Sequence, residues 1–276
     1  MAWLSGLFSR TTVVNLAVVG VALALFFLEN WRRDVALHDA QFYSGWVLLA
    51  CMAVMMLLTW RKKVVILPFG RVRLWLLVHY YAAFLTVAVF IAHTKYRIPD
   101  SPLELLLWSV FVLVALSGLA GAIMTTIIPP RLEAQGERIL FERIPVFRAQ
   151  LAEQAEAIAR DSVTDGNTRS IAKLYVDRLG AFFAGPRNVL SHVMGSKVPL
   201  ARILGELSAI ERYLDEAGKA RLAKMRDLVE AKSNLDFHYA NGGLLRLWLF
   251  LHVPPTYALL VATALHVVLE YAFTTS

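Results

Sequence analysis

Four histidines stand where their chemistry and spacing coincide: His79 and His93 in one apolar stretch, His252 and His266 in another. Each pair is fourteen residues apart. At about 100° per residue, fourteen steps return nearly to the starting face of a helix, with a rise of about 21 Å. Two imidazoles therefore share one side of each helix, near opposite edges of a hydrocarbon layer about 30 Å thick. Ionisable groups inside a membrane are functional candidates by default, and histidine is a common axial ligand of haem iron. Two such helices side by side present two His–His pairs, each a ligand set for one non-covalent b-type haem. The expected iron ligands are His79 with His252 and His93 with His266.

The elements that must carry these residues are membrane helices. The 276-residue chain is 58% hydrophobic and its apolar residues come in blocks, which is the signature of an integral membrane protein. We read an all-α bundle of five spans. They run from about Thr12 to Leu28, Phe42 to Trp60, Leu74 to Thr94, Leu103 to Ile128 and Leu244 to Phe273. The first is read as a retained anchor, because Glu29-Asn30-Trp31-Arg32-Arg33 follows without a small-x-small cleavage site. Pro129-Pro130 is expected to stop the fourth. The domain reading is residues 1–130 for spans one to four, 131–243 for a helical insert, and 244–276 for the last span with a short tail.

The second connection holds Arg61, Lys62, Lys63, Arg71 and Arg73 without an acid, so it is expected in the cytoplasm. The N-terminus and the insert then share that side and the C-terminus lies outside, in a bacterial-type inner (plasma) membrane. The net charge of +7 follows from such loops and does not call for nucleic acid. Spans three and five cross in the same direction, and each begins about five to eight residues before its first histidine. That makes the depths of the paired histidines agree.

Competing readings attach to several residues. His238 lies fourteen residues before His252, but Ser233, Asn234, Asp236 and Asn241 surround it. It is read as an interfacial histidine rather than as part of a slipped register. His38 and His192 are expected to face solvent. Pro254-Pro255 falls between His252 and His266 and weakens the same-face argument there. Cations placed to meet haem propionates are Arg73 and Arg246 on the inner side and Lys95 and Arg97 on the outer; orientation and snorkelling are the equally weighted alternative for each. Gly20, Gly118 and Gly121 make room for helix packing or for porphyrin. One cysteine, Cys51, excludes an internal disulfide, and the C-x-x-C-H attachment of covalent haem is absent. Cys51 is read as packing. The alternative for all four membrane histidines is hydrogen-bonded glue between helices.

The insert carries apolar stripes at helical spacing: Phe147, Leu151, Ala155 and Ile158; Ile171, Leu174, Leu179 and Phe182; Leu200 through Leu214; and Leu222, Met225 and Val229. Gly166-Asn167 and Gly185-Pro186 punctuate them. A small helical core is expected, with a docking face for a partner as the other use of the same stripes.

Paired H-x13-H helices in a bundle resemble the dihaem b-type cytochromes, namely cytochrome b of quinol-oxidising complexes and the transmembrane part of ferric reductases and NADPH oxidases. Placement on the third and fifth spans looks most like the latter. The stretch 237–273 is similar to small membrane b-cytochromes that accompany multihaem c-type cytochromes. The Pro-Glu-Trp-Tyr quinol-site motif is absent, and no Gly-x-Gly-x-x-Gly loop or flavin domain follows the last span. A self-contained NAD(P)H reductase is therefore not expected. The resemblance implies an electron-transfer subunit of an oxidoreductase complex with two haem b groups. It would work between a cytoplasmic or quinone partner and a periplasmic redox protein such as a c-type cytochrome. A quinone-reactive subunit using an acid such as Glu270, and a haem-free scaffold or transporter, are the alternatives.

Overall fold

The long apolar runs form helices because a backbone in lipid must satisfy its hydrogen bonds within the segment. The computed structural model describes residues 10–63, 72–134, 139–164 and 168–274. Among them there is no strand. The first four helices are α1 (Arg10–Val35), α2 (Ala40–Lys63), α3 (Val72–His93) and α4 (Pro102–Glu133). The polar part holds α5 (Ile144–Thr164) and α6 (Arg169–Leu174). A π turn over Tyr175–Leu179 leads to α7 (Gly180–Phe183), followed by α8 (Val189–Val193) and α9 (Val198–Glu211). The last helix, α10, runs from Glu216 to Thr274. Five of these helices are long and apolar enough to cross a membrane: α1, α2, α3, α4 and α10. The protein is an all-α, multi-pass membrane protein.

Two differences from the sequence reading concern where helices begin and end. Helix α4 continues through Pro129 and Pro130 to Glu133. Proline deletes its own N–H but leaves its carbonyl, and the Ala134 N–H closes a last turn on Pro130 O at 3.0 Å. Helix α10 runs through Pro254 and Pro255, as expected of the fifth span, but begins at Glu216, so one 59-residue helix serves both the insert and the fifth span. Residue 244 is therefore not an element boundary.

The chain divides into two compact units, residues 1–119 with 253–276, and residues 120–252. In the first, α2 and α3 make the most extensive helix contact, and α1 packs on both. Its core is small, centred on Met52, Phe90, Phe111 and Leu259, with the Phe90 and Phe111 rings stacked at 3.7 Å. Most other apolar side chains face outward, as a lipid-solvated bundle requires. Cys51 is buried, in keeping with its reading as packing.

In the second unit the four stripes converge on one core containing Ala155, Ile171, Leu179, Phe182, Phe183, Leu207, Leu214, Leu222, Met225 and Val229. Full burial of Phe183 alone contributes about 1.5–3 kcal/mol. The Gly185-Pro186 turn separates α7 from α8 as expected. Gly166-Asn167 lies outside the described residues. Beside the apolar core, Lys232 and Asp236 form a fully buried ion pair on α10. Lys232 Nζ also donates to Gly185 O at 2.8 Å, and Asp236 Oδ2 accepts from the Arg187 N–H at 3.1 Å. The pair thus rivets the α7–α8 turn to α10.

Candidate functional site

Helix α3 ends on His93, and the chain turns at once. Lys95 and Tyr96 adopt left-handed backbone (φ 52° and 59°) and close the helix with hydrogen bonds to Ala92 O and Ile91 O. This C-terminal turn lets the His93 ring lie against the first turn of α2. His93 Nδ1 is 3.1 Å from the Gln41 carbonyl oxygen and 3.1 Å from Ser44 Oγ. A carbonyl only accepts, so Nδ1 carries the proton and the lone pair is left on Nε2. The Ser44 hydroxyl, itself buried, donates to the same Gln41 carbonyl at 2.9 Å. Gly45 completes the cradle: a Cβ there would stand 3.1 Å from His93 Cε1.

The same contact recurs about 21 Å away along α3. His79 Nδ1 lies 3.4 Å from the Met55 carbonyl oxygen, a longer and weaker bond. Gln41 and Met55 are themselves fourteen residues apart on α2. An antiparallel α2–α3 pair therefore offers a backbone acceptor to each imidazole of α3. Ring nitrogens of metal-binding histidines are usually held in this way, with Nδ1–H on a carbonyl or carboxylate and Nε2 toward the metal.

His93 and His266 line one cavity of about 390 Å³ in the first unit. Its walls come from α2, α3, the turn after α3, α4 and the last part of α10. Met52, Phe90, Trp108, Phe111 and Leu259 make the apolar part. Arg97, Asp39, Glu104 and Glu270 supply charge. Asp39 also caps α2, accepting from the Phe42 N–H at 2.9 Å. Of the cations expected on the outer side, Arg97 lines this cavity, while Lys95 is exposed and outside its wall.

His79 belongs to the first unit, and His252 is the last residue of the second. In the second unit the Trp248 indole stacks on the His252 ring, 5.6 Å between centroids and 20° between planes. Gly121 of α4 admits that indole: a Cβ there would fall 2.1 Å from Trp248 Cζ2. Gly121 thus serves helix packing, whereas nothing lies within 4 Å of a Cβ built on Gly20. Arg246 pairs with Glu142 and lies 4.0 Å over the Phe141 ring. The Arg246 hydrogen bond holds the Glu142 carboxyl below its usual range. The side chain of Arg73, like the basic connection through Arg71, lies outside the described residues.

His38 is exposed, as expected. His192 is not: it is buried, its ring edge-on to Phe237 at 6.2 Å. The reading as a solvent-facing residue fails because α8 is folded onto α10, and burial pushes the His192 imidazole below its ordinary pKa. His238 is buried in the same unit.

Sequence reasoning missed the α2 half of the site. Any residue carries a carbonyl, so Gln41 and Met55 give no signal by type; the Ser44-Gly45 pair of small residues was the legible trace. Among the described residues no group of three or more His, Cys, Asp or Glu side chains is arranged to hold a metal ion. A bis-imidazole porphyrin asks for two histidines only, since the macrocycle brings four nitrogens of its own. No family model, curated protein or solved structure matches the chain.

Proposed function

We propose that the protein is a dihaem b-type cytochrome, an electron-transfer subunit of an oxidoreductase complex. It sits in a bacterial-type plasma membrane with the N-terminus and the polar helical segment in the cytoplasm and the C-terminus outside. It relays electrons between a cytoplasmic or quinone partner and an outer redox protein such as a c-type cytochrome. The observation that carries this reading is the cavity that holds His93 and His266 together, with the His93 Nδ1 proton tied to Gln41 O.

The residues fit the group. Two imidazoles border a slot with apolar walls, Gly45 leaves space for one ring, and Arg97 stands on the wall as a counter-charge for a propionate. Haem, when bound, supplies a one-electron couple with no open coordination position, which suits outer-sphere transfer. The chain's own share is positioning and electrostatics. His93 and His266 offer the lone pairs; Gln41 and Ser44 fix the tautomer and orientation of His93; Phe90, Phe111 and Met52 exclude water. His79 and His252 are assigned to the second haem by the same spacing argument.

Purified protein expressed with ample haem should contain two haems per chain and give a reduced b-type alpha band. His93→Ala and His266→Ala should lose the same haem, and His79→Ala and His252→Ala the other. A colourless protein, or a pair whose two substitutions remove different haems, overturns the reading and leaves the histidines as helix glue.

Glu104, Glu270 and Asp39 on the same cavity wall favour a second reading, a quinone-reactive subunit in which Glu270 passes protons. Haem reduction by a quinol, blocked by quinone analogues and slowed by Glu270→Gln, separates this from simple relay.

A further inference from the structure

The stretch from Pro186 to Arg202 takes no part in the proposed redox site. It carries Arg187, Lys197 and Arg202 and no acid. Leu190 on α8, Met194 at its end and Val198 at the start of α9 are 70%, 65% and 65% exposed. His192, between them in sequence, is buried against Phe237. The segment therefore buries one side chain in its own unit and leaves three large apolar residues and three basic ones exposed.

Its position is fixed by the end of a membrane helix. Arg131, in the last turn of α4, donates from Nη1 to Val193 O at 3.3 Å. A Cβ built on Gly195 would lie 3.8 Å from the same guanidinium, and Gly195 needs its positive φ of 73° to turn the chain there. The apolar run of α4 reaches Ile128, less than one turn before Arg131. Backbone tied to Arg131 is thus held at the boundary between hydrocarbon and water.

We propose that residues 186–202 lie in the headgroup layer of the membrane. Leu190, Met194 and Val198 enter the acyl boundary, and Arg187, Lys197 and Arg202 meet the phosphates of anionic lipids. Exposed apolar residues interspersed with basic ones and no acid are the composition of an interfacial segment, and the cytoplasmic leaflet attracts such charge. Continuity with the end of α4 selects lipid over a protein partner.

The test uses the full chain with Met194→Cys or Leu190→Cys carrying a nitroxide. Cys51 is buried, and the unsubstituted chain controls for its labelling. Val176→Cys, 80% exposed on the π turn, is the aqueous reference. In nanodiscs of phosphatidylcholine with phosphatidylglycerol, labels at 190 and 194 should collide with oxygen several-fold more than with an aqueous nickel complex, and the label at 176 the reverse. Pure phosphatidylcholine should weaken the contrast. Equal aqueous access at 194 and 176 overturns the proposal, as does protection of 194 in native membranes but not in nanodiscs, which indicates a protein partner.

Discussion

At the residue scale the site depends on which imidazole nitrogen carries the proton. The Gln41 carbonyl sets this for His93, with Ser44 hydrogen-bonded beside it and Gly45 leaving room for the ring, none of them a ligand. Ser44→Ala removes a hydrogen bond worth about 1 kcal/mol, so the protein should still fold. Under the dihaem reading, the haem assigned to His93 should change its midpoint potential and low-temperature spectrum, while the other stays unchanged. Gly45→Val should go further and empty that site, because the added atoms meet His93 Cε1. Haem content and redox titration check both. His192 offers a pH test. Burial lowers its pKa, outweighing the opposing pull of the Asp236 charge. The folded chain therefore binds fewer protons than the unfolded chain below the ordinary imidazole value of about 6.5. Stability is fully present above that value and should decline as the pH falls toward the lowered folded pKa. His192→Gln should flatten this slope in thermal melts recorded between pH 7 and pH 5.

At the element scale two contacts hold α10. The Trp248 indole occupies space that only glycine leaves open on α4. Gly121→Ala should cost about 1–3 kcal/mol by overpacking, and Trp248→Ala in the same chain should recover part of the loss. Denaturation in detergent followed by circular dichroism measures the pair. The Lys232–Asp236 rivet is the stronger constraint because both groups are fully buried. Lys232→Met leaves the buried Asp236 carboxylate with only the Arg148 guanidinium, 3.8 Å away, as a counter-charge and should cost up to about 3–5 kcal/mol, whereas Lys232→Met with Asp236→Leu, which removes the buried carboxylate, should cost less. Equal losses in the single and double variants would mean that the charge pair is not what ties the 185–187 turn to α10.

At the scale of the whole molecule, the proposed orientation rests on the basic second connection. A thiol placed at Val176 should react with an impermeant reagent only from the cytoplasmic side, and one at Ile98 only from the outside. Both positions are exposed, 80% and 63%. The reverse pattern in sealed vesicles would invert the orientation. Under the dihaem reading, sites about 21 Å apart along the helix span most of a 30 Å hydrocarbon layer. An electron moving between them works with or against the membrane potential, up to about 2.3 kcal/mol per 100 mV for a full crossing.

Hydropathy and helical period alone determined the class, the five spans and the core of the insert. These rest on properties of single residues, apolar area and a repeat of about 3.6, which survive in any arrangement that buries them. The spacing of His79, His93, His252 and His266 was equally plain. Tertiary structure decided what period cannot encode. It chose the Gln41 and Met55 carbonyls as acceptors, set Gly121 beneath Trp248, buried His192 against Phe237, and carried α4 and α10 through their prolines. The acceptors, the indole seat and the buried ring each depend on which backbone group or side chain another helix brings close, and that is a property of packing rather than of residue type.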